Sequence, residues 1–294
     1  MLVDRHIKQN IIEVTMPTFT TVIQPKQRLL SLNLRELWHY RDLVLLFVRR
    51  TFVSQYKQTI LGPAWAVIQP LLTTVIFTVI FGNVAGLAPS GVPMFTFYLC
   101  GSIAWNYFSG CLTATASTFT ANAGVMGKVY FPRLVMPIST VLSNLISFGI
   151  QFAFFLIFWI MDIVSGANVH PSLCILLTPL LVLQMACLGL GFGVIVSALT
   201  TKYRDLAMLV GFGVQIWMYL TPVAYDISII PEKYMGLYML NPMTPIISTM
   251  RYAFLGIGDF QLKYYLISWA VTCVVLFLGV ILFNRVEKTF MDTV

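Results

Sequence analysis

Charge is what this sequence has least of. Only 10% of its 294 residues are Asp, Glu, Lys or Arg, against about 25% in ordinary soluble domains. Hydrophobic residues make up 58%, and the mean hydropathy is +0.84. A soluble fold of this length has too little interior to hide that much apolar surface, so a soluble domain is excluded and a bilayer is the natural solvent. The net charge of +7 does not point to nucleic acid, because the basic residues follow membrane topology rather than clustering as one basic face.

Other absences narrow the function. No Asp, Glu, Lys, Arg or His falls in the middle of any long apolar run, whereas proton-coupled carriers, pumps and voltage sensors need such groups there; ion coupling is disfavoured. A phosphate-binding loop is missing too. Its nearest imitation, Gly127-Lys128, has Asn122 where Gly is needed and Val129 where Ser or Thr is needed, so the energy source has to be a separate subunit. Cys100, Cys111, Cys174, Cys187 and Cys273 all sit in apolar runs and are odd in number, which suits small hydrophobes and not a disulfide framework. His6, His39 and His170 lack ligand spacing, so no metal site is expected. A membrane-embedded acyl- or glycosyl-transferase would need paired carboxylates or a His with an acid. Asp162 and Asp205 fall on opposite sides of the membrane in this reading and form no such pair.

What is present is a series of apolar runs. Residues 1–30 are polar, without the apolar core of a cleavable signal, and read as a cytoplasmic tail. Residues 31–57 read as an amphipathic interfacial helix, with Asn33 and Glu36 in capping-box spacing. Leu34, Leu37, Trp38, Leu45, Val48 and Phe52 recur at helical spacing beside Arg35, Arg41, Asp42, Arg49, Arg50 and Lys57. One broken helix, or two short ones meeting near Tyr40 to Asp42, would both fit.

The transmembrane domain, residues 58–290, opens with a stretch from Gln58 to Gly127 that holds no charged residue, enough for two spans of about 20 residues. Spans are predicted at 63–84, 94–116, 134–160, 173–199, 206–224 and 264–284. The segment from Asp226 to Lys263 carries charges together with Pro231, Pro242 and Pro245. It reads as short or re-entrant helices, which survive at membrane depth only where protein or a water-filled cavity shields the backbone. The fold class is therefore all-α integral membrane, with six transmembrane helices, an N-terminal interfacial helix, and short extracytoplasmic helices between spans five and six. Fifteen of the 18 Lys and Arg residues fall on the side of the N-terminus; only Lys233, Arg251 and Lys263 fall on the other. That bias puts both termini in the cytoplasm. Gly189 and Gly193 form a small-xxx-small pair suited to close helix packing, and Gly211 and Gly213 are expected to act similarly in the next span.

Three strings carry a resemblance. Arg49 to Trp65, reading RRTFVSQYKQTILGPAW and followed by Gln69-Pro70, resembles the N-terminal hallmark of the ABC-2 type permeases that export polysaccharide. So do Val129-Tyr-Phe-Pro-Arg-Leu-Val-Met-Pro137 after the second span and Lys202-Tyr-Arg-Asp205 after the fourth. The likeness covers about residues 32–290. It implies a non-enzymatic permease subunit for O-antigen, capsule or teichoic-acid-type polymers in the bacterial inner membrane. It also implies a homodimer joined to two ABC ATPase subunits, which would bind the ATP and magnesium; this chain would hold no cofactor. The segment from Ala121 to Arg133, with Lys128, Tyr130, Phe131 and Arg133, would then dock on the ATPase. Asp226, Glu232, Arg251 and Asp259 would belong to an external gate, with Arg251 paired to one of the three acids.

For a glycan on a polyprenyl pyrophosphate, Arg49, Arg50 and Lys57 are head-group candidates, because guanidinium groups bind phosphate oxygens bidentately. Anchoring to anionic phospholipid would use the same residues. Aromatic rings stack on sugar CH faces, which makes Phe97, Tyr98, Trp105, Tyr107 and Phe108 of the second span, with Trp217, Tyr219 and Tyr225 near the end of the fifth, candidates for a glycan path. An ABC permease of the same fold for drugs or small lipids is the alternative.

Overall fold

The computed structural model describes residues 34–293 except 58, 90, 127, 129, 130, 203 and 204, and side chains from 37 to 283 except those and 119, 123, 126, 201, 202 and 207. Asn33 and the side chain of Glu36, the expected capping box, lie outside the described residues. No strand occurs among the described residues, and the fold is all-helical.

The interfacial segment is two helices, α1 (Leu34–His39) and α2 (Arg41–Tyr56), which meet at Tyr40. Val44, Phe47, Val48 and Tyr56 form the buried side of α2. They lie along the first half of α6 (Val135–Val164): Ser143 Oγ donates to the Val48 carbonyl at 3.4 Å, and the Tyr56 and Ser147 hydroxyls are 3.4 Å apart. Trp38, Leu45 and Leu46 point away, largely exposed. So α2 buries one side on protein and keeps a second apolar side for lipid.

Four helical segments are long and apolar enough to cross a membrane: Gly62–Val84, Val135–Val164, Leu173–Thr200 and Leu262–Phe283. The first contains α3 (Trp65–Phe77) and a π-turn at Thr78–Val84. The third ends in α7 (Thr178–Lys202), and the fourth opens α11 (Leu262–Thr293). The other two predicted spans depart from that pattern in opposite ways.

Helix α4 (Met94–Ala116) has a span's length but not its apolarity. It is enclosed by α3, α6, α7 and α10 (Met243–Leu255), and 16 of its 23 residues are buried. A helix that faces protein over most of its circumference can carry Thr96 and Ser102, because those positions do not need lipid as their solvent. Helix α8 (Leu206–Tyr219) is the converse, apolar but short. Its 14 residues rise about 21 Å, less than the ~30 Å of a hydrocarbon core.

Glycine decides the closest helix contacts. A Cβ at Gly189 would stand 2.5 Å from the Cys111 Cβ, and one at Gly193 2.5 Å from the Thr115 Cβ, so both lie against α4. Gly191, on the opposite side of α7, meets Gly279 and Val275 of α11. Gln184 strengthens that seam by donating to Ser268 Oγ at 2.7 Å, and Ser268 donates to the Pro242 carbonyl at 2.7 Å. Gly211 and Gly213 make no such contact with another helix of the protomer: among the described residues, nothing outside their own helix backbone lies within 4 Å of a Cβ at either position.

Candidate functional site

At the end of the bundle where α2 packs, the helix presents two neighbouring stripes of side chains, a consequence of 3.6 residues per turn. Leu46, Arg49, Val53 and Lys57 border a cavity of about 690 Å³, and Arg50 and Ser54 border it too. A second cavity of about 420 Å³ lies between α2, α5 (Thr118–Met126) and α6, walled by Arg50, Thr51, Ser54, Gln55, Asn122 and Thr140. Arg49 and Arg50 of α2 therefore come together with Lys57 at the helix's C-terminal end, beside a polar cleft that no local sequence pattern points to. Arg49, Arg50 and Lys57 are all exposed, and none makes an ion pair to a carboxylate among the described residues.

The coupling candidates divide. Lys128 is exposed and Arg133 half-buried; Tyr130 lies outside the described residues. Phe131 is buried, its ring 5.8 Å from that of Phe47 in a small core with Val44, Val48, Val135 and Met136. Of the coupling candidates, Phe131 is thus the one placed inside the protomer. Phe131 ties the segment after α5 to the interfacial helix, because its large apolar ring finds a ready-made apolar wall on α2.

The aromatic residues of the second span are corrected. Phe97, Tyr98, Trp105, Tyr107 and Phe108 are each no more than 4% exposed, and a ring without accessible surface in the protomer has no face to offer a sugar. They are the core around which α4 packs. Trp105 and Phe108 meet Trp217 at 6.2 and 5.1 Å between ring centroids. Of the candidates near the end of α8, Tyr219 is exposed while Trp217 and Tyr225 are half-buried.

The external segment splits into two parts. Helix α10 is body, with 11 of its 13 residues buried. It ends at Gly256 in the left-handed region (φ 72°), where a Cβ would meet the His170 carbonyl at 2.6 Å. Helix α9 (Glu232–Tyr238) has no buried residue and is held through the hydroxyl contact of Tyr238 with Tyr225. Burial pushes both phenols above their ordinary pKa, so both stay neutral.

Arg251 pairs with none of the three acids proposed for it. Its Nη1 donates to the carbonyls of Pro222 (2.6 Å) and Tyr225 (3.1 Å), and its Nη2 to that of Val223 (2.8 Å). The guanidinium carbon lies 3.7 Å from the centroid of the Phe97 ring. One helical turn on, Gly101 leaves the space the group needs: a Cβ there would be 2.7 Å from Nη2. Asp226 instead accepts from Ser228, and Glu232 and Asp259 are exposed. Asn241 completes the clamp, accepting from Trp217 Nε1 at 3.0 Å and donating to Thr221 Oγ1 at 2.8 Å. Backbone carbonyls take up the two terminal nitrogens of a buried cation here, because the chain after α8 turns without helical partners for them, while Arg251 Nε has no hydrogen-bond partner among the described residues. Sequence reasoning missed Gly101 and Asn241. The signal for Gly101 was a glycine four positions after Phe97, one helical turn on.

This arrangement of a polar central helix, an interfacial helix and a protein-shielded external segment has relatives. The model of the ABC-2 type transporter family matches residues 42–255, and the chain belongs to that family. Its relatives include the O-antigen export system permease protein RfbA of Klebsiella pneumoniae, 28% identical over 253 residues that cover 85% of this chain and 94% of that protein. A second RfbA, from Myxococcus xanthus, is 28% identical over 223 residues, covering 75% of this chain and 83% of that one. The polysialic acid transport protein KpsM of Escherichia coli is 23% identical over 257 residues, 84% of this chain and 94% of KpsM. The chain is accordingly a multi-pass membrane permease of the ABC-2 type, and its similarity extends to polysaccharide-export permeases.

Proposed function

We propose that this chain is the membrane subunit of an ATP-driven exporter of a polysaccharide carried on a polyprenyl pyrophosphate of the undecaprenyl type. Two copies would form the channel, two ATPase subunits would bind ATP and magnesium, and the assembly would sit in the bacterial inner membrane with both termini in the cytoplasm. The observation that carries this reading is that the likeness to O-antigen and polysialic acid permeases runs over most of this chain and of each relative.

Six spans fit this reading. Enclosed in protein, α4 crosses without an apolar surface, while α8 crosses with the residues 220–255 packed at its outer end. Helix α10 then stands at membrane depth, where Arg251 supplies the partners that the bare carbonyls of the turn after α8 would lack. The short helix α9 is the part of this segment free to act as an external gate.

At the cytoplasmic face, α6 is 30 residues long, about 45 Å, and so overhangs a ~30 Å hydrocarbon core. Since α2 packs along the first half of α6, Arg49, Arg50 and Lys57 stand at head-group level, where their charges suit pyrophosphate oxygens. Lys128 and Arg133, on the connection after α5, would face the ATPase. ATP-driven closure of the partners would shift the two conformations of the dimer by binding one better than the other.

The test is export and ATP hydrolysis by the reconstituted complex. Replacing Arg49 and Arg50 together by Ala is expected to cut lipid-stimulated hydrolysis and glycan export about tenfold or more while leaving subunit assembly intact, given about 1.5–3 kcal/mol for hydrogen bonds to charged groups. Normal export by that double variant would remove the head-group role, and failure of the chain to associate with any ATPase would remove the exporter reading itself.

A further inference from the structure

The two cavities on α2 are chemically unlike, and they share Arg50 and Ser54. On one side stand Leu46 and Val53 with Arg49 and Lys57, a wall that is apolar and cationic at once. Apart from Arg50 the other side has no charge: Thr51, Ser54 and Gln55 of α2, Asn122 of α5, and Ser139 and Thr140 of α6 supply polar groups, over a floor of Phe47 and Met136. Its volume of about 420 Å³ lies in the range of small-molecule sites, roughly 300–1,000 Å³.

The hydrogen bonds fix what that second wall offers. Thr140 already donates its hydroxyl to the Met136 carbonyl at 2.9 Å, and the Asn122 amide donates to the Thr118 carbonyl at 3.0 Å. Each still has an acceptor oxygen, and a wall of hydroxyl and amide groups suits a ligand that brings hydroxyls. Arg50 at the junction suits an anion, and the Leu46 and Val53 side suits an alkyl chain. A ligand meeting all three has a chain, then a phosphate, then a polyol, in that order.

We infer that the α2–α5–α6 cleft holds the first sugar of the lipid-linked glycan, with its phosphate on Arg50 and its lipid along Leu46 and Val53. The inference rests on the proposed function and assigns the sugar end of the cargo to residues outside the cationic stripe. It places the sugar against Asn122 of α5, at the start of the segment expected to meet the ATPase, so an occupied cleft and an empty one differ at the coupling element itself.

The experiment uses the whole complex with its ATPase in nanodiscs of one fixed composition containing phosphatidylglycerol, so that anionic phospholipid is the same in every arm. ATP hydrolysis is titrated with undecaprenyl pyrophosphate or with undecaprenyl pyrophosphate bearing one N-acetylglucosamine. The variant combining Asn122→Ala and Thr140→Val is expected to raise the half-maximal concentration of the sugar-bearing lipid about tenfold, as loss of two hydrogen bonds of roughly 0.5–1.5 kcal/mol each implies. Its response to the bare pyrophosphate lipid stays within about twofold, while Arg50→Ala weakens both responses together. If the wild-type complex responds to both lipids and the double variant shifts both alike, or neither, the sugar site is overturned while the exporter reading stands. A wild-type complex that responds to neither lipid overturns the lipid-linked cargo and this site with it. Should the double variant not assemble, Thr140→Val alone, nearly isosteric, carries the same comparison with a shift of about threefold.

Discussion

The two ends of this molecule use arginine in opposite ways. At the external end Arg251 is 3% exposed, stacked on Phe97 and bonded to three carbonyls of its own chain. At the other end Arg50 stands exposed between two cavities with no carboxylate beside it among the described residues. A cation whose terminal nitrogens are taken up inside the fold is part of the architecture. One whose donors face an open cleft is available to a ligand. Residue type alone does not separate the two cases; the surrounding oxygens do.

That contrast can be broken most directly by exchanging each arginine for alanine. Arg251→Ala strands three carbonyls in a dry interior, at about 1–3 kcal/mol each, and is expected to lower the stability of the purified chain by about 5 kcal/mol. Arg50→Ala should leave it within about 0.5 kcal/mol. Thermal midpoints in one detergent test the pair; equal midpoints would erase the distinction between the two ends.

Trp105→Ala comes next, at about 3–5 kcal/mol, since Trp105 is packed against Phe108 and Trp217. Export and ATP hydrolysis should fall together in this variant. A selective loss of export would return Trp105 to the glycan path and refute its role as core.

Glycine gives a smaller contrast of the same kind. Gly189→Val drives a side chain into Cys111 of α4 and should cost about 1–3 kcal/mol, whereas Gly211→Val, in open space, should leave the folded protomer unchanged by the same thermal assay.

The smallest effect sharpens the division inside the external segment. Tyr225 and Tyr238 have raised pKa values because burial disfavours phenolate. A group whose folded pKa is raised stabilises the fold fully below its unfolded value, about 10, and loses that contribution as pH climbs toward the folded one. The attachment of α9, followed by proteolysis or hydrogen exchange, should therefore be flat from about pH 6 to 9 and weaken above about 10. Tyr238→Phe should loosen α9 by about 1 kcal/mol without disturbing α10.

Much of this was legible in the sequence. A charge-free run from Gln58 to Gly127 and long apolar segments bounded by Lys and Arg leave few solutions other than membrane helices, because an unpaired backbone cannot exist in hydrocarbon. Gly189 and Gly193 announced a close contact by spacing alone. Arg49 and Arg50 fall on α2 and Lys57 at its C-terminal end because they are close in sequence. Misreadings arose where the same residue type serves two environments. Phe97 and Trp105 could line a lumen or fill a core, and only packing against α3, α7 and α10 makes them core. Phe131 sat in a cytoplasmic motif, yet its ring is buried against Phe47 from a distant stretch of chain.

By itself, then, the sequence determined that the chain is helical and membrane-bound, since composition and periodicity act locally and the bilayer imposes one rule on every backbone group. The tertiary structure decided which helix could afford to be polar, which arginine is taken up by the fold, and which hydroxyls and amides meet in a cleft. Those outcomes depend on residues far apart in the chain, such as Arg50, Asn122 and Thr140, or Phe97, Pro222 and Arg251, and no local pattern encodes their meeting.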